Sequence, residues 1–288
     1  MKNRTRIATA IAAGITAVAI AGVLAVVALT PHSTIHPLKE VPAPAATADA
    51  VPSTAQLAKL PEAKYDAVIG GLIAVTGVEQ LAAKVDTYTL RHDAALYGVD
   101  ERTPVARLDA QNFLTERTTV LAVKHTGPWT LVLTPARQAL PSKTGGTAAA
   151  QTAAWIRSAD LTGKRTIDSA ITVSVSKQTL TLRDGEQSTT FKIGVGTDKT
   201  PTPVDVTGYL QARYLDPGQG QALYPIQLTS LHATTTDEPL AGGTGGLIGV
   251  HYETETNGKV SHGCIRLPAA AITAVNRLPL GTPINITS

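Results

Sequence analysis

The chain has 288 residues, with 25 Lys or Arg against 22 Asp or Glu, so its formal net charge is only +3. The basic residues are scattered and only 4% of the residues are aromatic, which argues against nucleic acid as a partner. Cys264 is the single cysteine, which excludes an internal disulfide and leaves no second thiol for dithiol redox chemistry.

The first thirty residues have the composition of a membrane anchor. Three basic residues lie among the first six, and the 23 residues from 7 to 29 carry no charge. A helix of that length can cross a hydrocarbon core of about 30 Å. A cleaved signal has a shorter apolar region of about 7–15 residues, and the best cut site, at residues 26–28, lies inside the run. We therefore favour an uncleaved single span, with a cleaved signal as the alternative, and expect everything from residue 31 onward outside the cytoplasm.

Composition divides the rest of the chain into four parts. Residues 31–56 are rich in Pro and Ala and predict an extended tether. Residues 57–84 fit helix and strand equally well and stay unassigned. Residues 85–163 predict a small β-barrel, and residues 164–288 predict a second β-rich unit that contains the cysteine.

Alternation of apolar and polar residues predicts strands in both units. The predicted strands cover residues 87–90, 105–108, 119–123, 129–133 and 154–156, then 171–175, 179–182, 189–193, 247–251 and 283–286. The Asp184-Gly185 pair predicts a hairpin turn. One Ala-rich stretch, residues 268–276, predicts a short helix. The fold class is therefore mainly β, with one short helix directly after the cysteine.

The surroundings of Cys264 point to a thiol nucleophile. It lies in the run Ser-His-Gly-Cys-Ile-Arg-Leu at residues 261–267, and His251 ends the predicted strand just before. A nearby imidazole favours the thiolate, so we expect a thiol pKa below the free value of about 8.5 and cysteine-dependent acyl transfer. The alternative is a buried Cys that acts as a small hydrophobe. Structural zinc needs four protein ligands, usually more than one of them Cys, so we expect no metal.

These pieces resemble the L,D-transpeptidase catalytic domain, the YkuD-type fold, over about residues 165–288. That family has a His on a strand, a loop, and then Ser/Thr-His-Gly-Cys. The preceding unit resembles a bacterial Src-homology-3-like barrel, in which Trp129 and Trp155 are either half-buried core or a peptide-binding surface.

The resemblance implies a role for each residue of the motif. Cys264 would be the nucleophile and His251 the proton donor and acceptor, with its ring oriented by the carbonyl group of Tyr252. The backbone N–H groups of Gly263 and Cys264 would face the developing oxyanion. His262 would shape that pocket or hold the acyl group.

Three further assignments follow from the resemblance. Ser261 would fix the turn before the cysteine. Arg266 would either bind a substrate carboxylate or form a structural ion pair with a surface acid. His232 falls where the family tends to place another His that lines the site, and a structural role is the equal alternative.

The function implied is that of a membrane-anchored peptidoglycan L,D-transpeptidase. It would take a stem tetrapeptide, release the terminal D-Ala, hold the acyl group as a thioester and pass it to an amine of another stem. No cofactor is implied, and transfer to water would give L,D-carboxypeptidase activity.

Three departures from the family pattern keep a catalytically weak wall-binding module as the rival. The loop at residues 252–260 has only nine residues, which is shorter than usual. The bulk of Tyr252 could narrow the cleft or stack on substrate. Asp205 lies about where the family has Gly.

Overall fold

The computed structural model describes residues 51–77, 84–237 and 246–288. Within these ranges, no helix has both the length and the apolar character that a membrane crossing requires. The predicted anchor at residues 1–30 and most of the predicted tether at residues 31–56 lie outside the described residues.

The first half of the described chain forms an eight-stranded sheet, preceded by the one-turn helix α1 at Thr54–Leu57. Its strands are β1 Ile73–Val75, β2 Val85–Leu90, β3 Ala94–Tyr97, β4 Pro104–Leu108, β5 Thr119–Thr126, β6 Trp129–Thr134, β7 Gln151–Arg157 and β8 Leu161–Ile167. Each strand predicted here from alternation is confirmed.

The strand order is β4-β3-β7-β6-β5-β2-β8, with β1 paired to β7. Among the described residues these pairings form an open path that ends at β4 and β8, so the predicted barrel stays a prediction. The ambiguous region at residues 57–84 contributes β1 and two isolated bridges, Glu62 to Arg107 and Val68 to Arg137. Its apolar side chains, such as Ile69 and Leu72, are buried in the core of this sheet.

The second half forms a ten-stranded sheet with the order β11-β10-β9-β18-β13-β14-β15-β17-β12-β16. Its strands are β9 Ser169–Ser174, β10 Thr179–Asp184, β11 Gln187–Lys192, β12 Gly194–Gly196, β13 Val206–Asp216, β14 Gln221–His232, β15 Leu247–Tyr252, β16 Gly258–Ser261, β17 Ile265–Leu267 and β18 Pro283–Thr287. The predicted hairpin is confirmed, because Asp184 pairs with Gln187 around Gly185.

The helix α2 at Ala269–Val275 follows the cysteine as predicted. Its buried residues pack in the same core cluster as Val250 of β15 and Ile265 of β17, which pair in parallel register. Side chains alternate along a strand, so the neighbours of Val250 and Ile265 point to the opposite face of the sheet. These neighbours are Gly249, His251, Cys264 and Arg266. That opposite face carries the candidate site.

The two sheets pack together through buried side chains. Tyr209 of β13 is fully buried in a cluster with Leu121 and Leu133 of the first sheet. Arg137, which is also buried, donates from Nη2 to the carbonyl oxygen of Ala233 at 2.8 Å. The first sheet therefore supports the sheet that carries the cysteine.

Candidate active site

Cys264 lies one residue before β17, and the parallel register places it opposite Gly249 of β15. The N–H group of Gly249 donates to the sulphur at 3.4 Å. A Cβ atom at position 249 would lie 3.9 Å from that sulphur, so the missing side chain leaves room above the strand. His251 is two residues further along the same face, about 7 Å from Gly249 between Cα atoms. The thiol and the imidazole therefore lie on the same face of the sheet, on neighbouring strands and two residues apart in register.

Ser261 holds the turn that carries the thiol. Its hydroxyl group donates to the carbonyl oxygen of Cys264 at 2.5 Å and accepts the N–H group of Gly263 at 3.2 Å. Gly263 has φ of 109°, a conformation that side chains oppose. This geometry fits the predicted role of Ser261 in fixing the turn.

The same geometry corrects the expected oxyanion donors. The N–H group of Gly263 already donates to Ser261, so it is not free to face a developing oxyanion. The N–H group of Cys264 has no acceptor among the described residues. Of the two donors predicted from the motif, only the one on Cys264 is available in this structure.

Thr202 ties this turn to the neighbouring loop. Its hydroxyl group accepts the N–H group of Gly196 and donates to the carbonyl oxygen of Gly263, both at 2.8 Å. The side chain is buried, so both bonds are shielded from water. Asp205, where the family has Gly, adopts φ of 55°. Asp tolerates this left-handed conformation, which explains why the departure leaves the loop intact.

The ring of His251 is oriented by a backbone carbonyl group. Its Nδ1 donates to the carbonyl oxygen of Tyr252 at 3.1 Å, which leaves Nε2 unprotonated. The same oxygen accepts a bond from Nε2 of Gln221 at 2.9 Å. The carboxylate of Glu253 lies 3.9 Å from Nδ1, too far for a hydrogen bond.

Burial keeps the two reactive groups neutral. It raises the pKa of the Cys264 thiol above its ordinary value, although the N–H group of Gly249 and the positive charge of Arg266 oppose this. Burial also lowers the pKa of His251. The expected pKa below the free value is therefore wrong in direction, because desolvation outweighs the two contacts that favour the thiolate. The resting pair is a thiol and a neutral imidazole.

The side chain of Tyr252 does not fill the cleft, contrary to the expectation from its bulk. It packs on the core below the sheet and against Tyr224, with ring centroids 4.7 Å apart. The reason is alternation, since His251 and Tyr252 are consecutive in β15.

Arg266 lies directly across from His251 in the parallel register. Its Nη1 is 3.6 Å from the carboxylate of Glu255, and its buried Nε has no acceptor among the described residues. The long ion pair with Glu255 supports a structural role for Arg266. The unpaired Nε of Arg266 supports the alternative, in which it binds a substrate carboxylate. His262 is exposed on the turn between Ser261 and Cys264.

His232 is placed in the interior, with no exposed surface. Its Nε2 donates to the carbonyl oxygen of Tyr65 at 3.0 Å, and burial lowers its pKa to about 4. A fully covered ring offers nothing to a substrate, so the structural alternative accounts for this position. Trp129 is buried as well and stacks edge-on against Tyr97, with centroids 4.9 Å apart. That placement fits the core interpretation of this Trp.

Sequence reasoning missed Gln221, which steadies the carbonyl group that orients the imidazole. No local pattern marks this residue, and only the pairing of the long strand β14 with β15 brings it near Tyr252. Thr202, in contrast, lies in the Pro-Thr-Pro triplet at residues 201–203, a local pattern that marks this loop in the sequence. Within the described ranges, no group of three or more His, Cys, Asp or Glu residues could hold a metal ion.

Comparison with known protein families agrees with this site. Residues 168–286 match the model of the YkuD family, the L,D-transpeptidase catalytic domain. The resemblance drawn from the cysteine motif is therefore confirmed for this segment. None of the curated protein sequences matches the chain.

Solved structures show a weak likeness. An L,D-transpeptidase from Mycobacterium smegmatis is 14% identical, with 56% of this chain and 91% of that chain covered and a TM-score of 0.32. L,D-transpeptidase 1 of Mycobacterium tuberculosis is 15% identical, with coverage of 48% and 78% and a TM-score of 0.29. The Ldtfm–avibactam carbamoyl enzyme is 20% identical, with 42% of this chain covered and a TM-score of 0.30. This chain spans about half of the length of the Ldtfm–avibactam carbamoyl enzyme, 49%.

Proposed function

We propose that this protein is a peptidoglycan L,D-transpeptidase that works through a thioester on Cys264. One observation carries the proposal. A cysteine sulphur and the base nitrogen of a neutral imidazole share one face of the sheet, inside the segment that matches the L,D-transpeptidase catalytic domain. The substrate class, stem peptides of peptidoglycan, comes from that family.

The reaction uses His251 as a proton carrier. As the sulphur of Cys264 attacks the carbonyl carbon of the third stem residue, a C–S bond forms and the thiol proton moves to Nε2 of His251. The N–H group of Cys264 donates to the oxyanion. The C–N bond to the terminal D-Ala then breaks, and its amine leaves with the proton from His251.

The second half of the reaction reverses these roles. The amine of another stem attacks the thioester, gives a proton to His251 and forms a new peptide bond, and the returning proton restores the thiol. Water in place of the amine releases a tripeptide, which is L,D-carboxypeptidase activity. A third candidate is a wall-binding module with weak turnover, because only one of the two expected oxyanion donors is free.

We further propose that the protein is a single-pass membrane protein with its catalytic segment on the wall side. The uncharged residues 7–29 after a basic start motivate this. Mass spectrometry of the protein extracted from membranes decides the matter. Retention of residues 1–30 is the expected result, and a mature N-terminus near residue 29 would show a cleaved signal.

Incubation with a disaccharide tetrapeptide tests the function itself. Dimers with loss of one D-Ala identify a transpeptidase, and tripeptide without dimers identifies a carboxypeptidase. Binding to wall fragments with neither product would leave the wall-binding module. The matched control is Cys264→Ala, which removes the thiol and leaves the turn that Ser261 holds.

A further inference from the structure

The loop between β15 and the cysteine turn has few attachments to the rest of the molecule. It covers residues 252–260, and its nine residues are one of the departures from the family pattern. Near its start, the N–H group of Glu253 donates to the carbonyl oxygen of Leu267 at 3.0 Å. Over residues 254–257, no backbone hydrogen bond joins the loop to the other described residues. The position of the loop therefore depends on how its far end is held.

A side chain from a distant turn holds that far end. The N–H group of Gly258, where β16 begins, donates to Oε1 of Gln178 at 3.1 Å, across 80 positions of sequence. Strand β16 itself pairs with β12 through only three residues, with a shift in register. The ion pair of Lys259 with Asp198 is exposed on both sides, so it contributes little. The side chain of Gln178 is thus the partly buried attachment at this end of the loop.

The backbone of Gln178 is left-handed, with φ of 51°. This conformation is costly for residues other than Gly, Asn and Asp. Two hydrogen bonds fix it, since the N–H group donates to Val175 at 3.3 Å and the carbonyl oxygen accepts the N–H group of Ile193 at 3.1 Å. A turn that used only its backbone would gain from Gly or Asn at this position. The presence of Gln therefore indicates that its side chain is used.

The loop that Gln178 holds borders the catalytic face. The order β15-β17-β12-β16 places two strands between the ends of the loop, so the loop crosses the ends of both. Its Glu255 lies 3.6 Å from Nη1 of Arg266, and Arg266 is directly across from His251 in register. The loop is therefore one rim of the cleft that contains the imidazole.

Gly194 of β12 lets this rim lie close to the sheet. It pairs with Gly258 on one side and with Arg266 on the other. A Cβ atom at position 194 would lie 3.4 Å from the carbonyl carbon of Thr256 and 2.7 Å from a methyl group of Val260. The missing side chain thus allows the loop to pack directly over β12, where the bond from Gln178 keeps it.

The catalytic pair is held by other contacts. The pairing of β15 with β17 sets the register of His251 and Cys264, and the hydroxyl group of Ser261 holds the cysteine turn. None of these contacts involves Gln178. Loss of the bond from Gln178 to Gly258 would therefore free the loop and leave the thiol and the imidazole in place.

From these contacts we propose that Gln178 is a positioning residue that holds residues 252–260 as a fixed wall at the Arg266 end of the substrate cleft. The effect on substrate rests on the proposed transpeptidase function, whereas the attachment of the loop does not. A fixed wall lowers the ordering cost of binding, so the side chain of Gln178 acts on KM.

Two substitutions separate the reach of the side chain from the strain of the turn. Gln178→Glu keeps the length and an oxygen that accepts the N–H group of Gly258. Gln178→Asn is one methylene shorter and suits the left-handed backbone, so the turn stays folded while the bond is lost. Amide hydrogen exchange of Gly258 in the full chain should be about fivefold faster in Gln178→Asn and near native in Gln178→Glu. Equal exchange in the two variants would overturn the proposal.

Kinetics on a disaccharide tetrapeptide test the wall itself. Gln178→Asn should raise KM by about fivefold with little change in kcat, and Gln178→Glu should keep the native KM. The matched control is Glu101→Asn, which should change neither value, since Glu101 has φ of 55° in the turn between β3 and β4. A lower kcat with unchanged KM in Gln178→Asn would contradict the proposal, because the bond would then act on the catalytic pair.

Alkylation of Cys264 by iodoacetamide completes the separation. The rate should be the same in Gln178→Asn and the native protein, and a changed rate would show that the bond supports the cysteine turn and not the wall. If the native protein turned over no substrate, the proposed function would fail. The exchange of Gly258 would then still decide whether Gln178 holds the loop.

Discussion

The backbone N–H group of Gly249 points at the sulphur of Cys264, 3.4 Å away. This bond favours the thiolate, but burial of the sulphur outweighs it and raises the thiol pKa. The nearby imidazole of His251 has its pKa lowered, again by burial. Between these two pKa values both groups are neutral, so in the proposed reaction the imidazole takes the proton during attack and does not hold a preformed thiolate.

Alkylation by iodoacetamide checks this protonation state. Because the reagent reacts with the thiolate, we expect slow reaction at pH 7 and a steady rise as the pH approaches and passes the ordinary thiol pKa of about 8.5. His251→Ala should leave this profile almost unchanged. A rate plateau below pH 7 that disappears in His251→Ala would instead reveal an ion pair.

Turnover should separate the two histidines of the motif. His251→Ala removes the proposed base and should lower kcat by about 10²–10⁴-fold. His262→Ala removes an exposed side chain to which the proposal assigns no proton transfer, so a smaller loss is expected. Steady-state kinetics on a disaccharide tetrapeptide measures both. A larger loss in His262→Ala would exchange the roles assigned to the two residues.

The carbonyl oxygen of Tyr252 accepts hydrogen bonds from both His251 and Gln221. Gln221→Leu tests whether the bond from Gln221 is needed to orient the imidazole. The variant removes the 2.9 Å bond to the carbonyl oxygen of Tyr252 and frees the peptide group that orients His251. Small errors in placement cost up to about 10²-fold, so we expect kcat to fall between about tenfold and that limit, with KM little changed. The control is Glu253→Gln, whose carboxylate is too distant to orient the ring. Equal kcat values for Gln221→Leu and the native protein would remove Gln221 from the site.

Thr202→Val removes both hydrogen bonds that join the cysteine turn to β12. A buried N–H group and a buried carbonyl group lose their partner, so we expect a loss of about 1–3 kcal/mol in the free energy of unfolding. Thr202→Ser keeps the hydroxyl group and should lose less. Urea unfolding followed by circular dichroism measures all three proteins. A native-like midpoint for Thr202→Val would show that the two bonds contribute nothing.

The buried His232 should make the stability of the fold sensitive to acid. Its folded-state pKa of about 4 is below the ordinary value, so the unfolded chain binds the proton more readily. Stability contributed by the neutral ring is complete above pH 6.5 and falls as the pH drops towards 4, by at most about 3 kcal/mol. His232→Gln, which keeps an amide donor for Tyr65, should flatten this dependence. Identical pH profiles of the unfolding midpoint would contradict the prediction.

Much of the strand pattern could be predicted from alternation, and the match of residues 168–286 to the L,D-transpeptidase catalytic domain from the His-Gly-Cys motif. Both signals are local, because period-two burial and a tight turn each depend on neighbouring residues. The contact of Gln221 with Tyr252 could not be predicted, since it depends on the register of two long strands. The thiol pKa was predicted in the wrong direction because the sequence shows the nearby imidazole but not the desolvation of the sulphur.

The donors of the oxyanion site show the same limit. The motif places Gly263 and Cys264 side by side, and nothing in it reveals that the hydroxyl group of Ser261 captures one N–H group. The side chain of Tyr252 could not be placed either. Alternation puts it below the sheet only once β15 is known to extend as far as Tyr252.

The most direct test of the account is the intact mass of the protein after incubation with a carbapenem, a β-lactam that should acylate a competent thiol. We expect one added inhibitor mass, located by peptide mapping on Cys264, and no adduct on Cys264→Ala. Absence of the adduct from the folded native protein, or its persistence in Cys264→Ala, would contradict the assignment of Cys264 as the nucleophile.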